Sequence, residues 1–337
     1  MQKIRFAIIG CGRIAQRHAE HIHAYGELVA VCDIVYEKAI SLAEKNKAKT
    51  YRNLEDLLKD QTDIDVISIC TPNGLHTEQS IACLQSGFHV LVEKPMALNV
   101  DDCNAMIAAA EKAGKNLFVI KQNRFNPPVI AVKKALIEKR LGKLFSIQLN
   151  CFWNRNNEYY QNSWKGTKYM DGGILFTQFS HFIDLLYWFF GDIATVYAMT
   201  GNYAHRSVIE FEDTGAVLLK FANGMIGSIH FTINSFKKNM EGSLTIFGEE
   251  GTVKIGGEYL NELEYSNIKN FNFDTLPAGN IANDYGTYFG SMSNHDKEYQ
   301  HIIEMIQSGK INTDNAFEGM KTVEIIEKIY QSAKQLN

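Results

Sequence analysis

The sequence predicts an α/β protein in two parts. The first is a doubly wound parallel sheet, and the second is an α+β region on a large, mainly antiparallel open sheet. Three observations carry this. The apolar run Ile4-Arg5-Phe6-Ala7-Ile8-Ile9 breaks at Gly10-Cys11-Gly12 and enters a helix-forming segment. Strand-like and helix-like segments then alternate as far as Ile120, the pattern of right-handed crossovers between parallel strands. Beyond Asn123 the runs lengthen and take a period of two, as in antiparallel strands.

A chain of 337 residues exceeds one comfortable core, and the change of pattern sets the expected boundary between domains 1–122 and 123–337. With 45% hydrophobic and 21% charged residues, it has the balance of an ordinary globular protein. A net charge of −4 without a Lys/Arg run argues against a nucleic-acid partner. No apolar run approaches a membrane span. The first strand begins within a few residues of Met1, so no secretory leader is expected. Cys11, Cys32, Cys70, Cys83, Cys103 and Cys151 are scattered without a CxxC, as expected of reduced thiols in a cytoplasmic protein.

The segment Gly10-Cys11-Gly12-Arg13-Ile14-Ala15 reads as G-x-G-x-x-A in the strand–turn–helix setting that dinucleotides require, so the first domain is a Rossmann sheet. Gly10 permits the turn, Gly12 lets a pyrophosphate approach, and Ala15 lets the helix pack closely on the strand. The helix N-terminus offers N–H groups to phosphate. Asp33 ends the next apolar run at the distance where an acid binds the ribose hydroxyls. Ile34-Val35-Tyr36 follow it without a cation for a 2′-phosphate, which favours NAD over NADP.

Further along, residues 36–45 are predicted helical, and Asn53 caps a helix over 54–59. A strand over 65–70 leads into Thr71-Pro72-Asn73-Gly74-Leu75-His76, then a helix over 77–86. A strand over 88–92 leads into Glu93-Lys94-Pro95, then a helix over 101–113 closed by Gly114. A strand over 117–120 leads into Lys121-Gln122-Asn123-Arg124. These three polar clusters fall at strand carboxyl ends, where doubly wound sheets bind ligands. Asn126-Pro127-Pro128 opens a helix to about residue 139. Strands are predicted over 144–152, 195–202, 216–222, 227–234 and 243–247, with turns at Asn223-Gly224 and over 248–251. One helix is predicted over 174–190, and the tail 295–335 reads as mostly helical.

Lys94 stands at the ligand-binding rim, with Pro95 stiffening the turn behind it. Desolvation there lowers a lysine pKa, which suits it as a base or as a holder of a developing oxyanion. His181 lies within an apolar helix, with Thr177 four residues before it and Asp184 three after, on roughly one face. Asp184 is placed to orient the imidazole. His18, His21 and His23 lie close together, but no metal site is expected, because no Cys or carboxylate set completes them.

Together, the fingerprint, Thr71-Pro72-Asn73-Gly74-Leu75-His76, Glu93-Lys94-Pro95, and Gly172-Gly173 followed by His181 and Asp184 resemble the glucose–fructose oxidoreductase/inositol dehydrogenase family. Three segments of the second half resemble the UDP-N-acetylglucosaminuronate 3-dehydrogenases of that family. They are Gln122-Asn123-Arg124-Phe125-Asn126, Glu158-Tyr159-Tyr160 with Trp164-Lys165-Gly166-Thr167, and Lys238-Asn239-Met240-Glu241-Gly242-Ser243-Leu244-Thr245-Ile246-Phe247-Gly248.

The resemblance implies NAD-dependent oxidation of carbon 3 of a UDP-linked N-acetylated uronate in bacterial surface-polysaccharide (O-antigen) synthesis. It further implies NADH reoxidation by 2-oxoglutarate and a homotetramer or homodimer. Lys94 and His181 are the implied catalytic pair, in a cleft between the domains, and either can be the base. Implied cofactor contacts are Gly10, Gly12, Arg13, Ile14, Asp33, Thr71, Asn73, His76, Glu93, Lys94 and Gln122. Implied substrate contacts are Arg124, Arg155, Tyr159, Tyr160, Trp164, Thr177, Gln178 and His181, with Lys165 in reserve. Inositol-dehydrogenase-like members carry an acid where this chain has Thr177, and the sugar-nucleotide branch also lacks it. The alternatives are the same fold acting on another sugar or polyol (UDP-N-acetylglucosamine, inositol), or a non-catalytic NAD-binding regulator. Lys94 together with His181 argues against the regulator.

Overall fold

The computed structural model describes residues 3–60, 63–161, 163–284, 286 and 289–336. The chain forms two compact units, Met1–Ile120 with His295–Val323, and Lys121–Asn294 with Glu324–Asn337.

In the first unit, β1 (Arg5–Ile9), α1 (Arg13–Tyr25), β2 (Glu27–Cys32), α2 (Tyr36–Asn46), β3 (Lys49–Tyr51) and α3 (Leu54–Asp60) are followed by β4 (Val66–Ile69), α4 (His76–Gln85), β5 (His89–Val92), α5 (Val100–Ala113) and β6 (Leu117–Val119). The strands pair in parallel in the order β3-β2-β1-β4-β5-β6, which reverses direction between β1 and β4. Ligands of such sheets bind at that switch point, beyond the strand carboxyl ends. Phe6, Ala7 and Ile8 in β1 and Val66, Ile67 and Ile69 in β4 are fully buried, as central parallel strands covered on both faces must be. Asn53 and Asn99 cap α3 and α5, each side-chain oxygen accepting a backbone N–H three residues on, from Asp56 and Asp102 at 2.8 Å.

The second unit runs through α6 (Pro127–Ile137), β7 (Leu144–Phe152), α7 (Asn157–Tyr160), α8 (Ile174–Thr177), α9 (Ser180–Phe190), β8 (Ile193–Gly201), β9 (Thr214–Phe221), β10 (Ile226–Thr232), β11 (Glu241–Gly248), β12 (Gly251–Gly256), β13 (Glu262–Ile268), β14 (Ala282–Asp284) and β15 (Phe289–Met292). Seven strands form one sheet in the order β13-β12-β11-β7-β10-β9-β8, antiparallel throughout except for β7 beside β10. The turn at Asn223-Gly224 joins β9 to β10 as expected. Ile147, Leu149, Val217, Leu219, Ile229, Phe231, Leu244 and Ile246 alternate along the strands and line the buried face. Two helices close the chain, α10 (His295–Gln307) and α11 (Asp314–Leu336).

Three expectations change. The single boundary at 122/123 gives way to a chain that returns to its first unit. There Tyr299 of α10 meets Phe6 edge-on at 5.4 Å, and Asn315 of α11 accepts the Val119 N–H of edge strand β6 at 2.7 Å. The helix expected over 174–190 is two helices. The backbone leaves helical geometry at Phe179 (φ −114°, ψ 3°), whose buried ring packs on Trp153, Phe182 and Phe231. Strands β12 and β13 extend the sheet beyond the predicted runs; β13 is an edge strand with mostly exposed side chains, so it carries no apolar alternation.

Candidate active site

In the first unit the fingerprint loop is held against the end of β2. Gly10 donates its N–H to Cys32 O at 2.8 Å, and Asp33 accepts the Cys11 N–H through Oδ2 and the Val35 N–H through Oδ1, both at 2.7 Å. Gly10 has φ +85°, and a Cβ there would lie 2.8 Å from the Cys70 carbonyl, so the turn needs glycine. At Gly12, by contrast, a Cβ would meet nothing within 4 Å. The protein leaves that approach open, and no side chain caps the N-terminus of α1, where Arg13 and Ile14 begin the helix. An open glycine, uncapped helical N–H groups and a carboxylate with further lone pairs fit a dinucleotide.

The ends of β4 and β5 are joined by His76. Its ring is fully buried, with Nδ1 2.8 Å from Pro95 O and Nε2 3.0 Å from Thr71 O. Burial pushes its pKa down. Thr71 donates its hydroxyl to Gln79 Oε1 at 2.6 Å, and Asn73 is buried beside it in sequence. A neutral imidazole has one N–H, so His76 donates to one of these two carbonyls and packs against the other.

Glu93 lies at the end of β5, just before the half-buried Lys94. Its Oε1 is 2.8 Å from His18 Nε2 and 3.3 Å from His295 Nε2, and its Oε2 accepts the Lys94 backbone N–H at 3.2 Å. Burial alone would raise the Glu93 carboxyl pKa, but the two histidine hydrogen bonds prevail and hold it well below the usual range. Burial lowers the His18 pKa against the pull of Glu93. The expectation that no carboxylate completes the histidine group is thus corrected. His18 is joined by Glu93 and His295, and the donor atoms of all three lie within 4.8 Å of one another. The sequence conceals this because the partners stand 75 and 202 positions apart. The 2.8 Å contact is an ordinary hydrogen-bond length.

In the second unit, Arg124 clasps Asp184 with Nε and Nη2 at 2.6 and 2.7 Å, and its guanidinium lies 4.9 Å from the Trp188 ring centroid. His181 and Asp184 sit one turn apart on α9, both buried. The Asp184 carboxylate engages Arg124 through both oxygens. Gln122 and Asn123 are buried at the start of this unit.

Arg155 is buried, its guanidinium 5.0 Å from the Trp153 ring centroid and 5.3 Å from that of Tyr159, and it donates from Nε to Gln178 Oε1 at 2.8 Å. Its Nη1 reaches Asn154 O at 2.6 Å and Asn239 Oδ1 at 3.2 Å. Gln178 in turn donates from Nε2 to the Tyr159 hydroxyl at 2.8 Å. Lys165 Nζ lies 4.6 Å from the Tyr159 ring centroid and 5.2 Å from that of Trp164. Tyr160 packs edge-on to Tyr159, and burial pushes its pKa far up.

Thr177 hydrogen-bonds the buried carboxylate of Asp171, which also accepts the Gly166 N–H at 2.7 Å. A buried acid thus lies against Thr177, six residues before it in sequence. Sequence reasoning missed Asp171, and it also missed buried Glu212, which accepts the Tyr330 hydroxyl at 2.6 Å.

A family model for an oxidoreductase family with an NAD-binding Rossmann fold matches residues 4–121, and one for the GFO/IDH/MocA C-terminal domain matches residues 129–254. Among solved structures, the WlbA dehydrogenase from Chromobacterium violaceum, in complex with NADH and UDP-GlcNAcA, is 38% identical. The likeness covers 99% of this chain and 95% of that one, with a TM-score of 0.88. The WlbA dehydrogenase from Bordetella pertussis, in complex with the same two molecules, is 35% identical over 100% of this chain and 98% of its own, with a TM-score of 0.90. Among curated proteins, the scyllo-inositol 2-dehydrogenase (NADP(+)) IolW of Bacillus subtilis is 27% identical over 86% of this chain and 82% of its own.

Proposed function

The chain belongs to the GFO/IDH/MocA oxidoreductase family and is an NAD-dependent dehydrogenase, and from that premise we propose that it oxidises carbon 3 of UDP-N-acetylglucosaminuronate. The observation that carries this reading is the full-length likeness, at 35–38% identity, to two dehydrogenases solved with NADH and that sugar nucleotide. Gly10, Gly12, Arg13, Ile14 and Asp33 hold NAD, which supplies the hydride acceptor. Lys94 takes the hydroxyl proton or holds the developing oxyanion, and His181 is the alternative base. Arg155, close to two aromatic rings, and Lys165 beside Tyr159 and Trp164 supply positive charge for the carboxylate and diphosphate. Arg124 already answers Asp184, so we assign the carboxylate to Arg155 and Lys165 first.

The test incubates the protein with NAD and, separately, UDP-N-acetylglucosaminuronate, UDP-N-acetylglucosamine and myo-inositol, following NADH absorbance. NADH formation from the uronate is expected, and addition of 2-oxoglutarate is expected to turn a single burst into continuous turnover. Turnover of inositol with none of the uronate would replace this reading with a polyol dehydrogenase.

A further inference from the structure

We propose that His18 and His295 are positioning residues for Lys94 and act on it through Glu93; this rests on the reading of Lys94 as the group that handles the hydroxyl proton. Both imidazoles are wholly buried, and both direct Nε2 at the same oxygen of the Glu93 carboxylate. The other oxygen holds the backbone N–H of Lys94. One carboxylate thereby joins α1, the end of β5 and the first turn of α10 at the residue whose side chain does the chemistry.

Burial favours the neutral form of His18, and the protons around it then run one way. An ionised carboxylate only accepts, so both Nε2 atoms donate to it. His18 Nδ1 is then a lone pair and accepts the Tyr299 O–H at 2.7 Å. The Tyr299 oxygen, 3.2 Å from Ser68 Oγ, accepts in turn from that hydroxyl. The run Ser68–Tyr299–His18–Glu93 thus has a single direction, with a neutral His18 beside an anionic Glu93. Burial lowers the His18 pKa and the histidine hydrogen bonds lower that of Glu93, in the same sense.

The arrangement also gives the C-terminal return of the chain a purpose. His295 opens α10, the segment that rejoins the first unit, and it arrives on Glu93. A lysine side chain is long and flexible, so the position of its backbone sets where its ammonium can reach. A shift of about 1 Å in a reacting group costs about 100-fold in rate.

The experiment compares His18→Leu, His295→Leu, His18→Gln and His295→Gln with the unmodified enzyme. It measures kcat and KM for UDP-N-acetylglucosaminuronate, and NAD affinity by fluorescence titration. The leucine variants are expected to lose roughly 10–100-fold in kcat, with KM and NAD affinity within about twofold. Glutamine places an amide N–H near the position of Nε2, so those variants are expected to recover most of the loss. Wild-type kcat in both leucine variants overturns the proposal. So does a loss matched in NAD affinity and not rescued by glutamine. Lys94→Met separates the two claims. If it is inactive while the leucine variants are normal, only the positioning role fails; if it is fully active, the reading of Lys94 fails and this proposal with it. Should the leucine variants not fold, Glu93→Asp withdraws the carboxylate by one methylene and keeps its charge; a wild-type kcat there overturns the proposal equally.

Discussion

Asp33 accepts the Cys11 N–H through Oδ2 at 2.7 Å, which ties the end of β2 to the turn of the fingerprint. One carboxylate therefore shapes the fingerprint loop, and we propose that it also accepts from the ribose hydroxyls. Asp33→Ala removes both contributions. Asp33→Asn keeps an acceptor oxygen and loses the charge. NAD affinity is expected to fall by about 1–3 kcal/mol in Asp33→Ala and by less in Asp33→Asn. The preference over NADP should narrow in both, because the repulsion of a 2′-phosphate is gone. Fluorescence titration with each dinucleotide checks this. Equal affinity for NAD and NADP in the unmodified protein would contradict it.

Glu212 makes stability depend on pH in a predictable direction. Burial raises its carboxyl pKa from 4.5 to about 7, against the opposing hydrogen bond from Tyr330. The native state thus binds the proton more tightly than the unfolded chain does. The stabilisation is complete below the unfolded value of 4.5 and is lost as pH rises through about 7. At about 1.4 kcal/mol per pH unit, that interval of about 2.5 corresponds to roughly 3 kcal/mol. Urea unfolding at about pH 5 and about pH 8 should show this decline in the unmodified protein and a smaller one in Glu212→Gln. Identical pH dependence in the two proteins would remove Glu212 from the account.

The first unit was legible because its signals are local. Gly10, Gly12 and Asp33 sit at spacings set by one strand, one turn and one helix, and the parallel strands are continuous apolar runs. The interior of the site was not legible in the same way. Glu93 finds His18 and His295 only after the sheet has formed and the tail has come back. Arg124 finds Asp184 across 60 positions. The break at Phe179 escaped detection because every residue around it is apolar, so hydrophobicity continues while the helix stops. Asp171 was hidden behind Thr177, whose hydroxyl it engages.

The outer face of the seven-stranded sheet leads us to propose that the protein self-associates. Tyr197 on β8, Leu218 on β9 and Ser228 on β10 lie side by side in register. Tyr197 is 63% exposed, Leu218 62% and Met199, next along β8, 71%. Apolar side chains gathered on an open sheet face mark an interaction surface. A dimer or tetramer is expected at micromolar concentration. Leu218→Lys with Tyr197→Lys should shift it toward monomer. Light scattering that returned a monomer for the unmodified protein would count against self-association.

The chemical step is the sharpest test of the site. Lys94 lies two residues beyond β5 of the first unit, with its backbone N–H held by Glu93. His181 is buried on α9 of the second unit, one turn before an aspartate that is engaged by Arg124 through both oxygens. Lys94 and His181 are the groups we propose for the proton chemistry. Lys94→Met keeps the length of the side chain and removes its proton chemistry; His181→Ala removes the imidazole. General acid–base contributions are about 10²–10⁴-fold, so single-turnover NADH formation should slow by that factor in at least one variant. NAD affinity should be retained in both, because the fingerprint loop and Asp33 lie elsewhere in the sequence and keep their own hydrogen bonds. Near-normal rates in both variants would show that the reacting hydroxyl is served by other groups, and would return Lys94 and His181 to structural roles.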